Sequence, residues 1–180
     1  AANGFEMHKV FTKVGAMPFD ALLADEVYIA GFFAESSVGM LNLKSMEYAK
    51  KDFRKGDGET VFKIPHFGTW GIHLDKAFIP AVGERKIHVL DFKSFKYVGH
   101  IELIGLPVFV VVSPDGRYLA VNYSGDKDDY VSVVDPVKRH LLKDIKAGRR
   151  IMHLRPSTDG SLLYVSSYFE SRLKALGAGD

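Results

Sequence analysis

The 180-residue, 20.0 kDa chain is 47% hydrophobic and 26% charged, which supports a packed globular domain and excludes a disordered one. Lys+Arg 24 against Asp+Glu 22 leaves a net charge of +2, too balanced for a protein that coats nucleic acid or an acidic membrane. With no cysteine, disulfides, thiolate metal sites, a cysteine nucleophile and thioether-linked haem are all excluded.

Taken in chain order, short β-branched and aromatic runs alternate with turn residues, and no segment holds a 3.6-residue apolar stripe. The first group of predicted strands is Phe19–Leu23, Val27–Phe33, Val38–Leu43 and Met46–Phe53. Next come Trp70–Leu74, Ala77–Val82, Lys86–Asp91 and Lys96–Leu103. A third group is Val108–Val112, Arg117–Asn122, Tyr130–Asp135 and His140–Lys146, and the last is Ile151–Leu154, Leu162–Ser167 and Arg172–Leu176. The longest apolar run, 103–112, contains Gly105 and Pro107 and is far short of the ~18 residues that cross a bilayer. No membrane span is expected, and a signal peptide is expected to be absent or already removed.

The runs repeat. Ser113-Pro-Asp-Gly116 returns as Ser157-Thr-Asp-Gly160, 44 residues on, and Val133-Val-Asp135 is anticipated 44 residues earlier by Val89-Leu-Asp91 and before that by Met40-Leu-Asn42. A period in the mid-forties with four strands, A to D, is the signature of β-propeller blades, each of which buries its faces against its neighbours. The fold class is therefore all-β: a partial β-propeller domain over 1–180, with about four blades, roughly half of a closed ring. Its other half is expected from a missing part of the protein or from a second copy in a homodimer.

In this scheme the loops leading into A strands and those joining B to C surround one channel mouth. They gather His66, Trp70, Arg85, Tyr123, Arg149, Arg150, His153 and Tyr168, a set that suits a flat, aromatic, carboxylate-bearing ligand. Each also has a structural reading: His66 and His153 as histidines bonded to backbone, Trp70 as channel packing, Arg149-Arg150 as a solvated pair. Asp126, Asp128 and Asp129, interrupted by Lys127, read as a solvated loop rather than a calcium site. No nucleophile elbow, zinc-protease, Walker or dinucleotide motif is present.

Phe19-Asp-Ala-Leu22, Tyr28-Ile-Ala-Gly-Phe-Phe33, Val61-Phe-Lys-Ile-Pro-His66 with Gly68 and Trp70, Pro80-Ala-Val-Gly83, Leu106-Pro-Val-Phe109, Ser113-Pro-Asp-Gly116 and Met152-His153 closely resemble the NirF family. These are haem d1 biosynthesis proteins related to the d1-haem propeller of cytochrome cd1 nitrite reductase. The links from Leu23 to Val27 and from Ile72 to Ala77 are tighter than the Ser-Pro-Asp-Gly turn. The resemblance implies the C-terminal half of an eight-bladed propeller, located in the periplasm, that binds haem d1 or a dihydro-haem d1-like precursor during denitrification. It implies catalytic or ligand-facing roles for His66 and His153, and tetrapyrrole contacts for Trp70, Arg85, Tyr123, Arg149, Arg150 and Tyr168. Nitrite reductase or other haem d1 maturation proteins would be its partners. The alternatives are a nitrite reductase d1-haem domain, in which paired histidines protonate nitrite, and a non-catalytic interaction propeller.

Overall fold

The computed structural model describes residues 9–15, 18–32, 35–52 and 70–177, with backbone alone for 18–24. Four antiparallel sheets follow one another along the chain, each wound in simple sequence order. Blade 1 holds β1 (Pro18–Ala24), β2 (Val27–Phe32), β3 (Ser37–Asn42) and β4 (Tyr48–Asp52). Blade 2 holds β5 (Gly71–His73), β6 (Lys76–Ala81), β7 (Lys86–Asp91) and β8 (Lys96–Glu102). Blade 3 holds β9 (Leu106–Val112), β10 (Leu119–Ser124), β11 (Tyr130–Asp135) and β12 (His140–Lys146). Blade 4 has three strands, β13 (Ile151–Pro156), β14 (Leu162–Ser167) and β15 (Arg172–Gly177).

Among the described residues, each of the three core clusters is shared by two blades. Val27, Ile29 and Val38 of blade 1 cluster with Ala77, Ile79 and Leu90 of blade 2. Phe78, Ile87, Val89 and Ile101 from the other face of blade 2 meet Val110, Leu119, Val121 and Val134 of blade 3. Ala120 and Val131 of blade 3 meet Ile151, Leu154, Leu163 and Val165 of blade 4. The inner strands are apolar on both faces because both are buried, whereas β12, at an outer edge, has only exposed and half-buried residues.

The repeated landmarks are turns. Asn42, Asp91 and Asp135 each end a C strand and accept hydrogen bonds on Oδ1 from backbone N–H groups two or three residues on, at 2.8–2.9 Å. The side chain thereby nucleates the C–D turn. In blades 3 and 4 the A–B turn is built by Ser113 and Ser157, whose hydroxyls donate to Asp115 and Asp159 at 2.8 and 2.6 Å and accept the N–H of Tyr118 and Leu162 at 3.1 and 2.9 Å. Gly116 and Gly160 sit at φ +71°, which glycine alone adopts freely. Blades 1 and 2 replace this turn by two-residue hairpins, with Asp25 and Leu74 left-handed at φ +54° and +51°.

Strand bounds depart from expectation chiefly at β10, which begins at Leu119 and runs through Tyr123 to Ser124. Arg117 and Tyr118 belong to the turn, and Tyr123 to the strand rather than the B–C loop. Among the described residues no helix is long and apolar enough to cross a membrane.

The hydroxyl of Ser113 and the N–H of Arg117 hold the Asp115 carboxyl at about 2, and the hydroxyl of Ser157 and the N–H of Ser161 do the same for Asp159. Both groups are more acidic in the fold than in the unfolded chain, so their stabilisation is complete above pH ~4 and is lost as pH falls toward 2. Thermal unfolding followed by circular dichroism should show a midpoint that drops across this window. The drop should be shallower in an Asp115→Asn, Asp159→Asn double variant.

Candidate functional site

The loops on the A-entry, B–C side are tied to one another by the backbone. Arg85 O accepts the N–H of Leu103 at 2.8 Å, and Asp129 O accepts those of Ala147 and Gly148 at 2.9 and 3.3 Å. Asp128 O takes the N–H of Ile151 at 2.8 Å, and Arg150 O that of Tyr168 at 2.9 Å. The B–C loops of blades 2 and 3 thus fix the path toward the next A strand, and that of blade 4 is tied to the entry of its own.

Two features shape the start of β13. Gly148 has φ +147°, and a Cβ there would lie 2.6 Å from Ser167 Oγ and 2.9 Å from Lys174 Nζ, so only glycine lets the loop lie against β14. Ser167 Oγ is 2.9 Å from Arg149 O and 3.1 Å from Glu170 Oε2. Below the loop, the register of β13 on β14 shifts between Ile151 and His153, a bulge at Met152 that matches the one at Val108 in β9, 44 residues earlier. Strict alternation puts His153 on the buried side with Ile151. The bulge turns it outward, leaving Ile151 buried and Met152 and His153 exposed.

Blade 4 therefore gathers four of the sequence-derived candidates at one rim. Arg149 is exposed, and among the described residues its guanidinium has no hydrogen bond or ion pair. Arg150, left-handed at φ +57°, reaches Asp128 Oδ2 at 3.5 Å, too long and too exposed for a strong pair. Tyr168 is 67% exposed. His153 meets the ring of Phe109 edge to face at 5.5 Å. The rim also holds Phe169, 64% exposed and edge to face with Tyr168 at 5.3 Å. Its signal in the sequence was its place beside Tyr168 in the same B–C loop.

The other candidates lie elsewhere. Trp70 is half-buried against the blade 1–2 cluster, the packing role that its structural reading gave it. Arg85 donates to Ile104 O at 2.6 Å and approaches Asp126 at 3.4 Å, tying the B–C loops of blades 2 and 3 together. Tyr123 is buried in the blade 2–3 cluster, its hydroxyl bonded to Ser132, which in turn donates to Asp144. Burial pushes the Tyr123 phenol up and removes its ring from the mouth, a correction to the expectation of a ligand contact. His66, with the Val61–His66 motif, lies outside the described residues. Asp128 and Asp129 face Arg150 and Lys146, and the described residues include no group of three or more His, Asp or Glu arranged to hold a metal.

One buried histidine stands apart from this rim. His88, on blade 2, has Nδ1 3.2 Å from the Tyr97 hydroxyl, which is also 3.2 Å from His100 Nδ1. Burial, with the nearby His100 and Lys86, pushes the His88 imidazole down to about 4. It is neutral at physiological pH, and its 3.5 Å approach to Glu84 is a polar contact rather than an ion pair.

The sequence matches the Cytochrome D1 heme domain family over residues 3–171. It is 32% identical over 163 residues to Protein NirF of Pseudomonas aeruginosa and 29% identical over the same length to Protein NirF of Stutzerimonas stutzeri. Each match covers 87% of this chain and 42% of the relative, so the chain spans about two fifths of the curated relatives it matches. Among solved structures, the fold superposes on the Kuenenia stuttgartiensis hydrazine synthase with a TM-score of 0.68 at 13% identity, covering 97% of this chain and 53% of the other. It superposes on the dihydro-heme d1 dehydrogenase NirN in complex with DHE with a TM-score of 0.68 at 15% identity, covering 89% and 37%.

The rim is held in place from below by Asn122, 1% exposed, which donates from Nδ2 to Ile151 O at 2.8 Å and accepts the Phe109 N–H at 3.0 Å. Asn122→Ala strands one buried donor and one buried acceptor, and we expect a loss of about 2–4 kcal/mol in urea denaturation. Chemical shifts of His153 and Phe109 should move with it, because both bulged strands lose the same tie.

Proposed function

Because the chain belongs to the Cytochrome D1 heme domain family, we propose that it binds a d1-type tetrapyrrole, haem d1 or its dihydro precursor, and that the blade 4 rim contacts the macrocycle. The observation that carries this reading is the exposed Arg149 guanidinium, unpaired among the described residues, beside a weakly engaged Arg150 and the exposed rings of Tyr168, Phe169 and His153. The donor set fits the ligand. A d1-type macrocycle carries peripheral carboxylates, which a guanidinium engages with two parallel hydrogen bonds, and a broad conjugated face and edge, which aromatic side chains cover. When bound, the macrocycle supplies the iron and the conjugated system on which any redox chemistry runs.

In this reading Arg149 and Arg150 anchor carboxylates at the rim while Tyr168 and Phe169 exclude water from the macrocycle edge. His153, edge to face with the ring of Phe109, would offer an imidazole to a substituent or to the iron, and His66 is proposed as its counterpart. The similarity to NirF supports a role in haem d1 biosynthesis in the periplasm, with nitrite reductase or other maturation proteins receiving the product. Whether the step is a side-chain modification or a hand-over is decided by following the bound tetrapyrrole chemically.

Titration of a d1-type haem into the protein, monitored by its visible absorption, tests the rim. Arg149→Ala should weaken binding by about 2–3 kcal/mol and Arg150→Ala, already shared with Asp128, by about 1.5 kcal/mol. Lys138→Ala in a C–D turn should change nothing. His153→Ala should alter the spectrum more than the affinity. Unchanged affinity and spectrum in all three rim variants would move the ligand to another surface, and failure of the unsubstituted protein to bind would end the tetrapyrrole reading.

A further inference from the structure

Blades 2 and 3 each have four strands, and on the side that carries the A–B and C–D turns their interface opens into a cleft of about 580 Å³. Its floor is the end of the blade 2–3 cluster, Phe78 and Val89, with Val98 packed against them. The turns around it satisfy their own hydrogen bonds, so what they leave between them is largely apolar. Leu74 and Val137 stand at its mouth, 74% and 71% exposed.

The equivalent positions in other blades are charged. Val137 is the second residue after Asp135, and the second residue after Asn42 and after Asp91 is a lysine, Lys44 and Lys93. Lys44 pairs with Glu26, and Lys93 with Asp75 at 2.9 Å, each tying the C–D turn to the A–B turn of its own blade. Val137 has no charge with which to make that tie. Leu74 takes the hairpin position that is Asp25 in blade 1, and both are left-handed. Aspartate adopts that conformation more readily than a bulky aliphatic residue does. Blade 2 therefore carries backbone strain to hold an apolar side chain in water at the mouth of an apolar cleft, and strain kept against stability points to a function.

One group gives the cleft a charge preference. Arg139, which lines it, donates from Nη1 to Val98 O, so its guanidinium is fixed at the lining with its other donors turned to neither an acid nor a second carbonyl among the described residues. The other charges there are matched, Lys76 by Asp91 at 2.6 Å and Asp75 by Lys93. The His73 ring lies against Gly116 of the next blade, where a Cβ would be 2.1 Å from it, and fills the space between the two A–B turns.

We propose that this cleft binds a small amphipathic carboxylate, its apolar chain laid on Phe78, Val89 and Val98 between Leu74 and Val137 and its carboxylate on Arg139. Burial of the chain supplies affinity, and the guanidinium selects the anion over a neutral or cationic head group. The site lies at the other end of the strands from the Arg149 rim and does not rest on the tetrapyrrole reading.

Methyl resonances of Leu74 and Val137, followed in the full chain as decanoate, decanol or decyltrimethylammonium is added below its micelle concentration, test this. Decanoate should shift both residues saturably, decanol should bind about fivefold more weakly, and the cation should bind least. Arg139→Gln keeps a donor for Val98 O without the charge and should bring decanoate down to the affinity of decanol. Leu74→Asn relieves the left-handed strain, so it should raise the thermal midpoint while weakening decanoate binding several-fold. A lower midpoint with binding unchanged would assign Leu74 to stability alone and overturn the proposal. Equal binding of all three amphiphiles, no shift at Leu74 and Val137, or decanoate binding that Arg139→Gln leaves intact would overturn it as well.

Discussion

A propeller blade is a sheet with two apolar faces and no means of covering either. That constraint organises this molecule. Ile29, Ile79, Val121 and Val165 are all fully buried, yet each is covered by a neighbouring blade rather than by its own sheet. Burial at ~25 cal/mol per Å² therefore accrues only as blades stack, and stability is a nearest-neighbour property. Tyr28 at 43% and Tyr164 at 38% exposure lie on the first and last of the described blades.

Stacking needs each blade to be presented at a fixed angle, and the repeated side-chain hydrogen bonds do that work. Asn42, Asp91 and Asp135 set the C–D turns, Asp115 and Asp159 the A–B turns, and the B–C loops of blades 2 and 3 clamp the path toward the next A strand through backbone N–H groups. Tyr118 donates to Gly160 O at 3.2 Å, linking one A–B turn to the next. The side of the molecule that carries the turns is thus saturated with its own hydrogen bonds. On the opposite side, Arg149, Tyr168 and Phe169 are exposed.

Much of this was legible in the sequence. The 44-residue offset from Ser113 to Ser157, and the recurrence of Asn42, Asp91 and Asp135, were enough to divide the chain into blades, because each landmark is a turn whose side chain bonds its own backbone and so needs no tertiary context. The family resemblance, carried by motifs in order along the chain, agrees with the match over residues 3–171. The pooling of loop residues at one face was legible only in part, since Trp70 packs against the blade 1–2 cluster and Tyr123 lies in the blade 2–3 cluster.

What the sequence by itself determined is the order and turn chemistry of the strands, since period-2 patterning and Asx and Ser-Asp-Gly turns act over a few residues. What only the tertiary structure decided is the direction each rim side chain takes. A bulge at Met152 turned His153 outward, two more strand residues drew Tyr123 inward, and a glycine at φ +147° laid Arg149 against β14. A bulge or a positive φ reverses the facing of a side chain without changing the hydrophobic pattern from which facing is read, so the choice is made by the neighbouring blade that has to fit.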